Sequence, residues 1–144
     1  MIYGDDVVDH HWPYDGPHND DQTTQAAAAI SRLVRYLNNA TGPGHSDSAL
    51  PYAAIGYRVI SNLTNAVHGL RQLLPQLAEF LERQAADPTL YDDRRGGPNA
   101  MPADDTASAA AYSLRSAMRH VSELASDLNL ARSHAVHLGN EDPR

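Results

Sequence analysis

The sequence predicts an all-α protein: an antiparallel three-helix bundle of long helices, expected to assemble further as a dimeric bundle. Three observations predict it. Apolar residues recur at alternating steps of four and three along three separate stretches, the spacing that lines one side of a helix. Prolines fall at or between the ends of those stretches, with Pro75 the one exception. Hydrophobic residues make up 42% of the chain, but much of that is alanine, with one Phe and one Trp. Alanine buries little area, so the core is expected to be thin and the helices closely packed. Long helices on a thin core gain burial by self-association, which is the ground for expecting a homo-oligomer.

Residues 1–21 read as an acidic, histidine- and aromatic-bearing arm, broken by Pro13, Gly16 and Pro17. Ile2, Tyr3, Val7, Val8, Trp12 and Tyr14 are more apolar than a solvated tail needs, so partial docking is expected. The bundle domain spans 22–139, with 140–144 as a short tail. The first helix is predicted from about Asp21 to Asn39. Asn19, Asp20 and Asp21 supply capping oxygens and negative charge at its start. Ala26, Ile30, Leu33, Leu37 and Ala40 form its stripe, widened by Val34, and Gly42-Pro43-Gly44 stops it.

The second helix is predicted from Tyr52 to Asp87, with Ser48 as N-cap and Pro51 in its first turn. Its stripe runs Val59, Leu63, Ala66, Leu70, Leu73, Leu77, Phe80, thickened by Ile55, Val67, Leu74 and Leu81. Such a sustained seven-residue repeat resembles an antiparallel bundle or coiled coil. Pro75 removes the bond to the Arg71 carbonyl and is expected to kink or split the rod. Residues 88–103 read as a mobile loop. The third helix follows from Asp104 or Asp105 to Leu138, on Ala107, Ala111, Leu114, Met118, Val121, Ala125 and Leu128. Ala135 and Leu138 close the pattern and Gly139 is its expected C-cap.

The formal charge is −7 and every cation is arginine, since lysine is absent. An acidic balance argues against wholesale phosphate-backbone binding. No cysteine is present, so disulfides, thiol nucleophiles and thiolate metal sites are excluded. Met1–Asp9 lacks a positive start followed by an apolar run, and no stretch approaches the length of a membrane span. A cytoplasmic protein without membrane contact is expected.

Chemistry has few candidates. Asp5, Asp6, Asp9, His10, His11, His18, Asp20 and Asp21 crowd the start, and imidazole with carboxylate can bind zinc, nickel or copper. A metal site needs ligands on rigid elements, so a solvated or docked arm is the favoured reading. His68 and His120 could face one another as an acid–base pair. Each borders an apolar stripe, which favours a histidine that merely reaches solvent. Neither glycine-rich stretch matches a phosphate-binding loop, no nucleophile elbow is present, and no helix carries the Glu-x-x-His pattern of a di-iron bundle. The expectation is a non-enzyme with no cofactor and no metal.

The interaction surface has better candidates. Arg32 and Arg35 lie three apart, and Arg115 and Arg119 four apart, each pair a short basic strip on one side of a helix. Such strips can grip phosphates, although pairing with Glu79, Glu82, Glu123 and Asp127 across a bundle is the plainer role. Tyr36, Tyr57 and Tyr112 lie beside the stripes, where tyrosine gives interface area with a polar end. Arg94 and Arg95 in the loop read as solvated. Three functions are therefore carried forward. The first is a homodimeric interaction module for an unidentified protein partner. The second is a small accessory DNA-binding protein of plasmid maintenance or transfer. The third is a metal-binding protein using the N-terminal His/Asp segment.

Leu50-Pro51-Tyr52, Val59 to Leu63, Leu70-Arg71-Gln72-Leu73-Leu74-Pro75-Gln76-Leu77 and Leu81-Glu82-Arg83-Gln84 together resemble a group of small alanine-rich helical proteins from actinobacteria. The all-arginine, Ala-, Asp-, Gly- and Pro-rich composition is consistent with such a high-GC genome. The resemblance covers residues 22–138 and implies a setting on integrative elements or conjugative plasmids. Its motifs are structural, so it implies no catalytic or binding residue.

Overall fold

The computed structural model describes residues 4–141, and every regular element in that range is an α-helix. In chain order they are α1 (Gly4–His11), α2 (Asp20–Ala40), α3 (Ser46–Ala49), α4 (Ala53–Ala85) and α5 (Ala103–Ala135). The chain divides into two compact units, Met1–Pro51 and Tyr52–Arg144, and each is described by itself. Ile2 and Tyr3 of the expected arm lie outside the described residues.

In the first unit the arm contains a helix that its broken composition did not announce. Residues 4–11 precede the first proline, and His10 and His11 occupy the last turn, where the helix dipole favours positive charge. α2 matches its predicted span to within a residue at each end. Asn19 caps it: the Oδ1 atom accepts the Gln22 amide at 2.8 Å, relieving one of the orphan donors of the first turn. Thr41 ends it, with its amide donating to the Leu37 carbonyl at 2.9 Å. The chain then turns through Gly44, whose φ of 85° is open to glycine without strain. No α2 residue is fully buried.

Ser48 is not the cap of the next helix. It sits inside α3, because Pro51 bars Leu50 from helical geometry and closes this short turn early. α4 starts instead after Tyr52, which caps nothing with its side chain. The missing acceptor comes from beyond the far end of α5, where Asn140 Oδ1 accepts the Ala53 amide at 2.8 Å.

The second unit is an antiparallel hairpin of α4 and α5, packed along their length. Two cross-helix pairs fix the register: His68 with Asn129, and Glu82 with Arg115. Fourteen residues down α4 match fourteen up α5, two heptads in opposite directions. The α5 side of the seam is the predicted stripe, with Ala107, Ala111 and Ala125 buried and Leu114, Met118, Val121 and Leu128 half-buried. The α4 side is not. Thr64 and Ala78 are the residues fully buried there, joined by half-buried Ile60, Val67, Leu74 and Leu81. The predicted central row is left outward, with Leu63, Leu73, Leu77 and Phe80 between 39% and 46% exposed. Thr64 and Ala78 are the α4 positions fully enclosed at the seam, and the larger Ile60, Val67, Leu74 and Leu81 beside them stay partly exposed. Hydropathy ranks leucine above threonine and alanine, so it pointed to the wrong row.

α4 is one helix through Pro75 rather than two. Packing against α5 on both sides of the proline carries the helix across the missing Arg71 bond. The connecting loop is also more organised than expected. Asp92 Oδ1 accepts the Arg94 amide at 2.9 Å and the Arg94 Nε–H at 2.8 Å, while the Thr106 hydroxyl of α5 donates to its other oxygen. Arg95 lies over the Tyr91 ring, 4.2 Å from its centroid. Arg94 is therefore ion-paired and Arg95 stacked, not free in solvent. α5 ends at Ala135, short of the expected Leu138 and Gly139, with His134 in its last turn.

Candidate functional site

The heptad register of the hairpin assigns every side chain flanking the seam to one of two rims. On one rim Ser61, His68, Pro75 and Glu82 of α4 lie level with Val136, Asn129, Ser122 and Arg115. This rim is closed by polar pairs. Asn129 Nδ2 and His68 Nε2 are 3.1 Å apart, and Asn129 Oδ1 accepts an Arg132 Nη2 hydrogen bond at 2.9 Å. Arg115 grips Glu82 with both Nε and Nη2, at 3.1 Å and 2.9–3.0 Å. The Arg115 hydrogen bonds hold the Glu82 carboxyl below its ordinary pKa.

The seam-flanking positions of the other rim carry no charge, and exposed His120 and Asp127 lie one step further round α5. α4 presents Leu63, Leu70 and Leu77, with Ala66, Leu73 and Phe80 one step further round, and α5 presents Ala110, Ala117, Leu124 and Ala131. Leu63, Leu73, Leu77, Phe80 and Leu124 are 39%, 42%, 42%, 46% and 47% exposed. A scattered exposed leucine is ordinary on a protein surface; a contiguous row along a helix is a candidate for contact. This open apolar face is the candidate site.

The residues singled out from sequence do not converge. Arg32, Arg35 and Tyr36 lie exposed on α2 of the first unit, where Tyr36 is 67% exposed. Tyr57, Tyr112, Arg115 and Arg119 belong to the second. There Tyr57 stands near the start of α4 and Tyr112 near the start of α5, hence at opposite ends of an antiparallel hairpin. Arg115 is committed to Glu82, so it does not make a free basic strip with exposed Arg119. His68 meets Asn129 rather than His120, which is exposed on a different level of α5. Among the described residues no group of three or more His, Asp or Glu is arranged to hold a metal ion. No described helix is long and apolar enough to cross a membrane.

No family model matches the chain, and neither a curated protein nor a solved structure does so. The functional reading rests on the residues themselves. Sequence reasoning found the apolar row of α4 but took it for the core. The fully buried positions of the seam are all small, Thr64 and Ala78 on α4 and Ala107, Ala111 and Ala125 on α5.

Proposed function

We propose that this chain is a non-enzymatic helical interaction module that works in the cytoplasm as a homodimer, through protein–protein contacts made by an antiparallel helical bundle. One observation carries the reading: the hairpin closes one rim with hydrogen bonds and an ion pair and leaves the other apolar and open. Burial of the open side chains is worth about 1.5–3 kcal/mol for each whole large side chain removed from water. Five side chains between 39% and 47% exposed make a substantial driving force for a second helical surface. α2 adds a second outward row, with Ile30, Leu33 and Val34 at 57%, 56% and 47% exposed. Within this reading Tyr36, Tyr57, Tyr112 and the arginines Arg32, Arg35 and Arg119 border contact surfaces instead of forming one site. The mobile-element setting belongs to the proposal through the resemblance to actinobacterial helical proteins alone.

The test is sedimentation velocity across a hundredfold concentration range, with affinity capture from an actinobacterial host beside it. The reading expects self-association, a stoichiometric protein partner, or both. A strictly monomeric chain that captures only nuclease-sensitive DNA would replace it with the accessory DNA-binding function.

A further inference from the structure

We infer that the open face of the α4–α5 hairpin is closed by the same face of a second copy, giving a two-fold four-helix bundle with both connecting loops at one end. The inference rests on the interaction-module reading and names its partner surface.

Shape is the first argument. The face is a ridge beside a shallower row: leucines at 63, 70 and 77 along α4, and Ala110, Ala117, Leu124 and Ala131 along α5, three alanines of four. A symmetric dimer places one patch against itself, so the patch must be complementary under its own two-fold. A two-fold axis parallel to the helices lays each copy's α4 leucines over the second copy's α5 alanines, and does so twice. An axis across the helices would set leucine on leucine and alanine on alanine, leaving a gap beside a clash. The first arrangement also runs each α4 antiparallel to the neighbouring α5, the same pairing already made within the hairpin.

Area is the second. Counting a large apolar side chain as ~200 Å², the five open side chains leave on the order of 400 Å² of apolar surface. A standard interface buries ~800 Å² per partner, of which somewhat over half is non-polar, or ~450 Å². The open face with its alanines supplies what one copy of such an interface needs. Charge is the third. The seam-flanking leucines and alanines of the face hold no ionised side chain to demand a charged partner, with Asp127 at the α5 edge. The loop over residues 86–102 carries Asp87, Asp92 and Asp93 against Arg94 and Arg95, a net charge of −1. Two loops side by side therefore bring small like charges together in solvent, where salt screens them.

The chain has no cysteine, so one introduced thiol labels one place. Asn99→Cys in the connecting loop, spin-labelled, reports the separation of the two loops by dipolar electron resonance. Loops at one end give an interlabel distance below ~30 Å, the breadth of a four-helix bundle. Loops at opposite ends give ~50 Å, the length of a 33-residue helix. Leu73→Glu supplies the second readout: it puts a carboxylate on the face and raises the dimer dissociation constant at least ~100-fold while helical content is kept. A dimer with ~50 Å between loops, or one indifferent to Leu73→Glu, overturns the inference and leaves homodimerisation standing. A monomer at every concentration overturns the inference and the homodimer alike. A monomer that Leu73→Glu also unfolds would assign the face to a helix of the same chain.

Discussion

The two apolar rows of α4 differ in what they touch and in the residues that make them. The row facing α5 is built on Thr64 and Ala78 with Ile60, Val67, Leu74 and Leu81 around them. The outward row is built on Leu63, Leu73, Leu77 and Phe80. Large side chains lie on both rows, but only the small Thr64 and Ala78 are fully buried. In this hairpin the fully buried positions are small, and the row of Leu63, Leu73, Leu77 and Phe80 is left outward. Under the proposed homodimer, folding and association use two different stripes of one helix.

The largest effect should come from crowding the seam. Ala111 is 1% exposed, so Ala111→Leu has nowhere to put its added carbons without parting the helices. A loss of about 3 kcal/mol is expected by urea denaturation, at the upper end of overpacking costs. An unchanged midpoint would mean that the helices are not closely packed there. Pro75→Ala acts in the other direction. It restores the amide that would reach the Arg71 carbonyl in a helix already continuous at that point. A gain of about 1–2 kcal/mol is expected, less than the full helix-interior penalty because the neighbouring turns already accommodate the proline. A loss of stability instead would show that the proline shapes a bend the seam requires.

Leu70 is the middle case between the rows. It is half-buried rather than fully buried, so Leu70→Ala should cost about 1–2 kcal/mol in the isolated chain, below the usual range for a core leucine. A cost of 4 kcal/mol or more, well above that ~1–2, would place it in the seam and redraw the boundary between the rows.

Much of this was legible in the sequence. The all-helical class, the span of α2, the α5 stripe and the breaks around 42–44 and 88–102 follow from periodicity and from proline and glycine. What escaped was tertiary. Periodicity reports an apolar row but not which of two adjacent rows meets the other helix. Composition marked 88–103 as loop without showing that Asp92 would pin it to Thr106. The cap of α4 was misassigned to Ser48 because the actual partner, Asn140, lies eighty-seven residues away in sequence. The open face was visible only as surplus leucine, and the register that makes it a face comes from His68–Asn129 and Glu82–Arg115.

The smallest effect should be electrostatic. The Arg115 hydrogen bonds lower the Glu82 pKa, and Arg94 followed by Thr106 holds Asp92 well below the ordinary carboxylate range. Both groups therefore contribute stability that is complete above the unfolded carboxylate values near 4 and is lost as pH falls through their folded values. Thermal melts should be level from pH 7 to 5 and decline below about 4, with Asp92 the last to be protonated. Glu82→Gln should flatten the first part of that decline; an identical acid profile would mean that the pair with Arg115 does not persist in solution.

One comparison tests the division between the rows most directly: Leu77→Asp beside Ala78→Asp, adjacent positions on opposite sides of it, followed by circular dichroism and sedimentation velocity. Ala78 is 0% exposed and Leu77 is 42% exposed. Ala78→Asp should lose most of its helical signal, because it buries an unpaired carboxylate in the seam. Leu77→Asp should keep its helices and sediment as a monomer. If Leu77→Asp unfolds while Ala78→Asp stays helical, the seam and the open face have been assigned to the wrong rows.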